Sequence, residues 1–110
     1  MNITTSEIKY LITMGKNGLH NVTEIAEALH ISKPSVSIMI KKMNLKGLIE
    51  RENDYIYMSE SGEKYYNHYS ELYDRVKNYF YSKNINNNVD NYIWLFISKI
   101  NEQDLKKLLE

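Results

Sequence analysis

The sequence predicts a mainly α-helical protein organised around a winged helix-turn-helix with a short two-stranded wing, followed by C-terminal helices. Two short stretches with helical apolar spacing meet at a tight corner near His30-Ile31, and a proline lies in the first turn of the second stretch. Two alternating segments joined by Asn53-Asp54 follow directly, as expected of a hairpin. This order of elements, between Val22 and Gly62, is the sequence form of that fold.

Composition narrows the class of protein. The chain has 110 residues, of which 43% are apolar and 25% charged, as is ordinary for one compact domain with an appendage. No apolar run approaches the roughly 20 residues that a membrane-spanning helix needs, so we expect a cytoplasmic protein with no membrane partner. The sequence has no cysteine, which excludes disulfides and thiolate metal sites. Because it also has no glycine-rich phosphate loop and no nucleophile with a spaced base, we expect no catalytic residues, no enzyme activity and no cofactor.

The first two helices carry local start signals. Thr4 and Glu7 are spaced as a capping box, and the apolar side chains that follow repeat at helical spacing. The segment 15–18, Gly-Lys-Asn-Gly, is predicted to end the first helix because its glycines favour left-handed turns. Asn21 and Glu24 repeat the capping pattern and open the second helix.

The third helix is predicted from Lys33 to about Leu45, with Ser32 as its N-cap, Pro34 in its first turn and Gly47 just past its end. Its apolar positions predict the buried side, which would consist of Val36, Ile40 and Met43. The residues expected on or near the outward side are Lys33, Pro34, Ser35, Ser37, Ile38, Lys41 and Lys42.

Charge placement on that helix predicts contact with DNA. The net charge of the chain is zero, yet residues 31–46 carry four basic residues and no acid. These are Lys33, Lys41, Lys42 and Lys46. Lysines in isolation are more often a solvated helix face, but the helix-turn-helix context favours phosphate contact. Small side chains early in the helix suit a major groove about 12 Å wide, where base readout would come from Pro34, Ser35, Ser37 and Ile38.

The wing is predicted from two strands, residues 48–51 and 55–58, around the turn Asn53-Asp54. Its outward side would present Arg51, Asn53 and Tyr55 to the sugar-phosphate backbone or the minor groove. The full set of predicted DNA contacts is Ser32, Lys33, Pro34, Ser35, Ser37, Ile38, Lys41, Lys42, Arg51, Asn53 and Tyr55.

The sequence of the C-terminal half predicts that two copies of the chain form a dimer. A long helix begins at the segment 59–62, the asparagine-rich stretch 84–91 is predicted to be a loop, and residues 92–97 are apolar on every side. A short helix of that kind needs cover, which in so small a chain we expect from a second subunit. We therefore divide the chain into a DNA-binding domain, residues 1–62, and a helical dimerisation region, residues 63–110. The predicted interface residues are Tyr92, Ile93, Trp94, Leu95, Phe96, Ile97, Leu105, Leu108 and Leu109.

Two further kinds of site have weaker support. His68 and Glu71 stand one helical turn apart, with Asp74 next along, and Glu7 could add a ligand from another helix. We interpret them as solvated surface residues and predict no metal site, since a metal centre needs ligands from a second element. The Tyr- and Trp-rich C-terminal half could line a pocket for a small-molecule effector, although an aromatic stripe at helical spacing is more often core or interface.

A resemblance to a known family adds to this interpretation. The runs SEIKYLITM, VTEIAEALHISKPSVSIMIKKMNLKGLIE and MSESGEKY resemble the N-terminal domain of the iron- and manganese-dependent repressors, the diphtheria toxin repressor family. The resemblance implies a dimeric, metal-activated DNA-binding repressor. Its implied ligand positions fall near Ile3, Ser6 and Tyr73 and within residues 93–96, and none of these suits manganese or iron. The fold and the DNA role therefore carry over, and the metal switch does not.

A second family is similar in a different segment. Residues 96–105, FISKINEQDL, resemble the C-terminal part of the multiple-antibiotic-resistance regulators, which are also dimeric winged-helix repressors. The chain lacks their long extra N-terminal helix and the acidic-basic signature of their longer wing. Residues and resemblances together predict a sequence-specific transcriptional regulator, a homodimeric repressor that reads a palindromic operator in double-stranded DNA with helix 33–45 in the major groove. The alternative is a winged-helix protein-interaction module that does not bind DNA.

Overall fold

The computed structural model describes residues 2–110, which form six helices and one two-stranded sheet. The helices are α1 (Thr5–Asn17), α2 (Val22–Leu29), α3 (Lys33–Leu45), α4 (Glu60–Ser82), α5 (Val89–Lys99) and α6 (Glu102–Leu109). The strands of the antiparallel wing are β1 (Ile49–Glu52) and β2 (Tyr55–Met58). The predicted fold class, mainly α with a short two-stranded wing, is confirmed.

The chain divides into two compact units, one ending at Asn67 and the other beginning at His68. The division falls inside α4, whereas the sequence analysis placed a boundary after Gly62. The roles assigned to the two parts, DNA binding and dimerisation, stay predictions. Within residues 2–110, no helix combines the length and the apolar character needed to cross a lipid bilayer.

Helix α1 starts at the predicted capping box. The Thr4 hydroxyl accepts a hydrogen bond from the Glu7 amide at 3.1 Å, and the Glu7 carboxylate accepts one from the Thr4 amide at 2.9 Å. The helix ends at Gly18, which is left-handed with φ 63°. Gly15 is helical and does not belong to the turn, which corrects the expectation for segment 15–18. A Cβ there would overlap the ring of Tyr66, so a larger residue at position 15 would require that ring to shift.

Short-range hydrogen bonds also set the starts of α2 and α3. Asn21 Oδ1 accepts from the Glu24 amide at 2.8 Å, and Ser32 Oγ accepts from the Ser35 amide at 3.2 Å. The corner between these helices is made by His30, which is left-handed with φ 56°. Helix α3 has the predicted bounds at both ends.

The first unit has one hydrophobic core to which all of its elements contribute. Its most deeply buried members, each at most 1% exposed, are Leu11, Ile25, Val36, Ile40, Met43, Leu48, Ile49 and Ile56. Because α3 contributes the three residues predicted for its buried side, the opposite side of that helix is turned to solvent. The core thereby decides which residues α3 can offer to a partner.

The second unit packs the later part of α4 against α5 and α6. Its buried residues are Leu72, Val76, Phe80, Val89, Ile93 and Leu105. The loop predicted over 84–91 is shorter than expected, because α5 already begins at Val89. Asn88 precedes it with φ 59° and no side-chain capping bond, so this start lacks the signal that marked α1 to α3.

Candidate nucleic-acid interface

The outward residues of α3 form one continuous surface, which we call the outer face of α3. It consists of Lys33, Pro34, Ser35, Ser37, Ile38, Lys41 and Lys42, all of them exposed as predicted. At about 100° of rotation per residue, these positions fill an arc of about 200°, with the buried residues on the remaining side. Ile38 is 63% exposed, which leaves its aliphatic side chain available for an apolar contact.

Ser32, also a predicted contact, has a structural task at the start of α3. Its hydroxyl oxygen accepts from the Ser35 amide, and the hydroxyl donates to Ser35 Oγ at 2.8 Å. The Ser35 hydroxyl proton is then left to donate outward, so Ser35 is the better placed of the two to reach a base or a phosphate.

One of the four lysines in the basic stretch is engaged inside the protein. Lys46 Nζ lies 2.8 Å from Glu7 Oε1 and 3.1 Å from the Asn2 carbonyl oxygen. Glu7 is only 2% exposed, so its carboxylate needs a cation. The expectation that Lys46 contacts phosphate is therefore wrong for this arrangement of the side chain.

The pairing of Glu7 with Lys46 also shifts the pKa of Glu7. Burial raises the pKa of this carboxyl, while the hydrogen bonds from Lys46 and from the amide and hydroxyl of Thr4 lower it by more, so the net shift is downward. Glu7 is thus held ionised. The carboxylate that could have joined a metal site with His68 and Glu71 already has its partners.

The cations that remain on the outer face of α3 are Lys33, Lys41 and Lys42. None of the three takes part in an ion pair within the described residues 2–110, and α3 itself contains no acidic residue. A helix face that carries three exposed positive charges and small hydroxyls is suited to an anionic polymer such as nucleic acid.

The wing places its three predicted contacts differently from expectation. Arg51, Asn53 and Tyr55 are all exposed. The strand register pairs Arg51 with Ile56 and Glu52 with Tyr55, and directly paired residues share a face of a sheet. Arg51 and Tyr55 therefore lie on opposite faces of the ribbon, and a single side cannot present both. Asn53, with φ 56°, occupies the turn between them.

Three acidic residues lie on the wing beside its predicted DNA contacts. Glu50 and Glu52 are exposed and share the face of Tyr55, while Asp54 lies in the turn. On the other face, Arg51 borders a shallow depression with Asp54 and the start of α2 at Asn21–Glu24. Phosphates would be repelled by the acidic face, so Arg51 is the wing residue with the favourable charge.

His20 lies in the loop between α1 and α2 and was not among the residues predicted from the sequence. Its ring stacks on Tyr55 with the centroids 4.5 Å apart and the planes 14° from parallel. Its Nδ1 lies 2.9 Å from the Ile56 carbonyl oxygen. No local pattern could have indicated this role, because the two partners are 36 positions apart in the sequence.

The nine residues predicted for a dimer interface fall into three groups by exposure. Ile93 and Leu105 are 0% exposed inside the core of the second unit, so they stabilise that unit and have no surface to offer. Tyr92, Leu95 and Leu108 are exposed by 39%, 53% and 42%. The other four, Trp94, Phe96, Ile97 and Leu109, are half-buried. The expectation that residues 92–97 need cover on every side is corrected, since the unit covers one side itself.

The second unit contains two polar pairs near the proposed metal and effector positions. His68 is paired with Glu102, and Tyr73 donates a hydrogen bond to Asp90. Burial, together with Asp90 and Asp74, raises the pKa of Tyr73, so the phenol stays protonated. Within residues 2–110, no group of three or more His, Cys, Asp or Glu side chains is arranged to hold a metal ion.

Comparison with known families gives a match over the first part of the chain. Residues 3–54 match the MarR family, which is just under half of the chain and runs from the start of α1 to the wing turn. This supports the second of the two resemblances, to the multiple-antibiotic-resistance regulators, and the first is not supported. That family consists of transcription regulators rather than enzymes. No curated protein sequence matches the chain.

Solved structures share the fold. The hypothetical protein SSo2273 from Sulfolobus solfataricus is 21% identical with a TM-score of 0.67, and the match covers 96% of this chain and 86% of that one. ScaR with bound Zn2+ is 15% identical with a TM-score of 0.73, covering 93% of this chain and 51% of ScaR. Full-length OxyR from Pseudomonas aeruginosa is 20% identical with a TM-score of 0.54, covering 79% and 30%. The chain thus spans about half of ScaR and under a third of OxyR. Fold and family match together support a winged-helix transcription regulator.

Proposed function

We propose that this protein is a transcriptional regulator of the MarR type that binds double-stranded DNA with α3 in the major groove and the wing beside it. The observation that carries the proposal is the outer face of α3, where Lys33, Lys41 and Lys42 are exposed with no acid on the helix, within the part of the chain that matches the family. The lysines contact phosphates, and Ser35, Ser37 and Ile38 face the bases.

The protein acts as a homodimer on a palindromic operator, as a repressor in the cytoplasm. Three lysines are few for tight binding by one copy, and two copies place their α3 helices in successive major grooves about one helical turn apart. Six lysine contacts to phosphate give a slope of log K against log salt of about −5. Control by a small-molecule effector is compatible with this scheme.

Fluorescence anisotropy tests the proposal with a labelled duplex taken from upstream of the protein's own gene and a random duplex as competitor. We expect specific binding that weakens steeply with added salt. A chain that binds neither duplex at any salt concentration is a protein-docking module, and the proposal is then wrong.

A matched pair of charge reversals tests the contact face. Lys41→Glu with Lys42→Glu reverses two adjacent charges on the outer face of α3 and is expected to weaken binding at least 100-fold. Lys106→Glu with Lys107→Glu makes the same change at two exposed, adjacent lysines of α6 and serves as the control, compared at a protein concentration where sedimentation shows both double variants to have the oligomeric state of the wild type. Equal losses in the two double variants would show a nonspecific charge effect and remove α3 from the interface.

Repeating the binding measurement in EDTA and with added metal distinguishes a metal-activated regulator from one that needs no metal. ScaR was solved with bound Zn2+, whereas we propose that this chain binds its operator without a metal. Binding in EDTA at full strength supports that proposal. Binding that requires added manganese, ferrous iron or zinc contradicts it and directs mutagenesis to His68, Glu71 and Glu102.

A further inference from the structure

The backbone of Ile56 has polar groups that the wing itself does not satisfy. The Ile56 amide donates to the His20 carbonyl oxygen at 2.7 Å, and the Ile56 carbonyl oxygen lies 2.9 Å from His20 Nδ1. Ile56 is 0% exposed, so its backbone groups depend on His20 for hydrogen bonds in the folded protein. His20 thus binds β2 at the edge of the ribbon that β1 does not occupy.

The chemistry of this contact fixes the state of the imidazole ring. A carbonyl oxygen only accepts hydrogen bonds, so Nδ1 of His20 must carry a proton. This hydrogen bond fixes the orientation of the imidazole ring. The ring stacks on Tyr55 with a centroid distance of 4.5 Å. One side chain therefore holds both the backbone of β2 and the aromatic residue next to the wing turn.

The wing needs an attachment of this kind, which we call the His20 tether: the bonds of His20 to Ile56 and its stacking on Tyr55. Each strand has only four residues, and a two-stranded ribbon of that size is marginal in water. Ile49 at the base of the ribbon and Ile56, one residue from its turn end, are buried in the core, but residues 51–55 are all exposed. The stacking of His20 on Tyr55 adds an attachment beyond Ile56, closer to the turn, and restricts the direction of the tip.

We propose that His20 is a positioning residue for DNA binding, which orients the wing tip so that the wing and α3 contact the duplex together. It does so without touching DNA itself. This inference rests on the proposed function, because it assigns a task within the same interface.

The first test measures the free protein. In His20→Ala, we expect the 15N heteronuclear NOE of residues 53–55 to fall while the rest of the first unit is unchanged. His20→Gln keeps a donor for the Ile56 carbonyl but cannot stack in the same way, and its NOE values should be intermediate. His30→Asn is the matched control, because it removes an exposed histidine from the same unit and asparagine tolerates the left-handed conformation at that position.

The second test measures DNA affinity as a double-mutant cycle. We expect His20→Ala to weaken binding about 5- to 10-fold. Tyr55→Leu removes the stacking partner of His20, so it should weaken binding in the wild type and have no further effect in His20→Ala, where the stack is already lost. Lys41→Ala should cost the same factor in both backgrounds, because α3 is independent of the tether.

These tests distinguish a failure of the inference about His20 from a failure of the proposed function. If Lys41→Glu with Lys42→Glu weakens binding while His20→Ala does not, the inference about His20 is overturned and the function stands. Wild-type NOE values in His20→Ala also overturn it, as does an equal cost of Tyr55→Leu in both backgrounds. If the wild-type protein binds no duplex, the proposed function fails, and the positioning role for DNA fails with it.

Discussion

At the scale of single residues, two glycines lie where a Cβ would meet a neighbouring group, although neither has a left-handed backbone. Gly15 and Gly62 both lie in helices, where glycine normally weakens the element. A Cβ on Gly15 would overlap the Tyr66 ring, and one on Gly62 would lie 1.9 Å from the Leu48 carbonyl oxygen. The first turn of α4 therefore packs directly on the backbone that leads into β1.

This contact predicts the effect of Gly62→Ala. In an ordinary helix the change stabilises by up to about 1 kcal/mol, but here we expect a loss of about 2–4 kcal/mol because the new methyl group meets backbone that cannot move aside. Urea denaturation followed by circular dichroism measures it.

The control for that variant is Gly18→Ala. Gly18 has φ 63° and open space around it, so the cost there should be the conformational one alone, about 1 kcal/mol. A Gly62→Ala protein as stable as the wild type would contradict the close approach of α4 to residue 48.

At the scale of elements, the pair of Glu7 and Lys46 joins the start of α1 to the end of α3. Glu7 also takes part in the capping box, so one buried carboxylate serves both helices. The position of α3, and with it that of the outer face, is therefore coupled to α1 by an interaction between ionised groups.

The coupling predicts a dependence of stability on pH. Because the folded-state pKa of Glu7 lies below its ordinary value of 4.5, the stabilisation is present above that value and is lost as pH falls through the lowered folded pKa. Glu7→Gln should cost about 1–3 kcal/mol at pH 7, and the difference from the wild type should shrink as the pH falls below about 4. Chemical denaturation at several pH values measures this difference.

Glu60→Gln provides the comparison. Glu60 pairs with Lys64 at 3.8 Å on an exposed helix face, so its loss should cost less than about 0.5 kcal/mol. If the two variants lose the same stability at pH 7, the Glu7 pair has no special role.

At the scale of the whole molecule, the prediction concerns assembly through the second unit. Tyr92, Leu95 and Leu108 remain exposed on a unit whose core is already complete. We expect Leu95→Glu to shift the protein from dimer to monomer, by at least 10-fold in the dissociation constant, because a dimer would have to bury the new charge. Sedimentation equilibrium measures this constant.

Leu45→Glu is the matched control for assembly. Leu45 is an exposed leucine of α3, 80% accessible, and lies in the first unit. It should leave the oligomeric state unchanged. A wild-type protein that is monomeric at all concentrations would contradict the dimer, and equal effects of the two variants would place the interface elsewhere.

The sequence by itself determined the features that depend on neighbours within one helical turn or one hairpin. Thr4 with Glu7, Asn21 with Glu24 and Ser32 with Ser35 start three helices through bonds between residues three positions apart. Apolar spacing set the buried side of α3 and hence its outer face, which is why the candidate residues there could be named in advance. Where such a local signal is missing, as at Asn88, the start of α5 was misplaced.

Only the tertiary structure decided how these elements use their side chains. Lys46 meets Glu7 across 39 positions of sequence and is thereby withdrawn from the basic face. The hairpin register puts Arg51 and Tyr55 on opposite faces, His20 reaches the wing from another loop, and Ile93 and Leu105 are buried in the core of the second unit. Each of these outcomes depends on a pairing between distant segments. A local pattern cannot specify such a pairing, because its free energy comes from burial and charge contacts that exist only once the chain has folded.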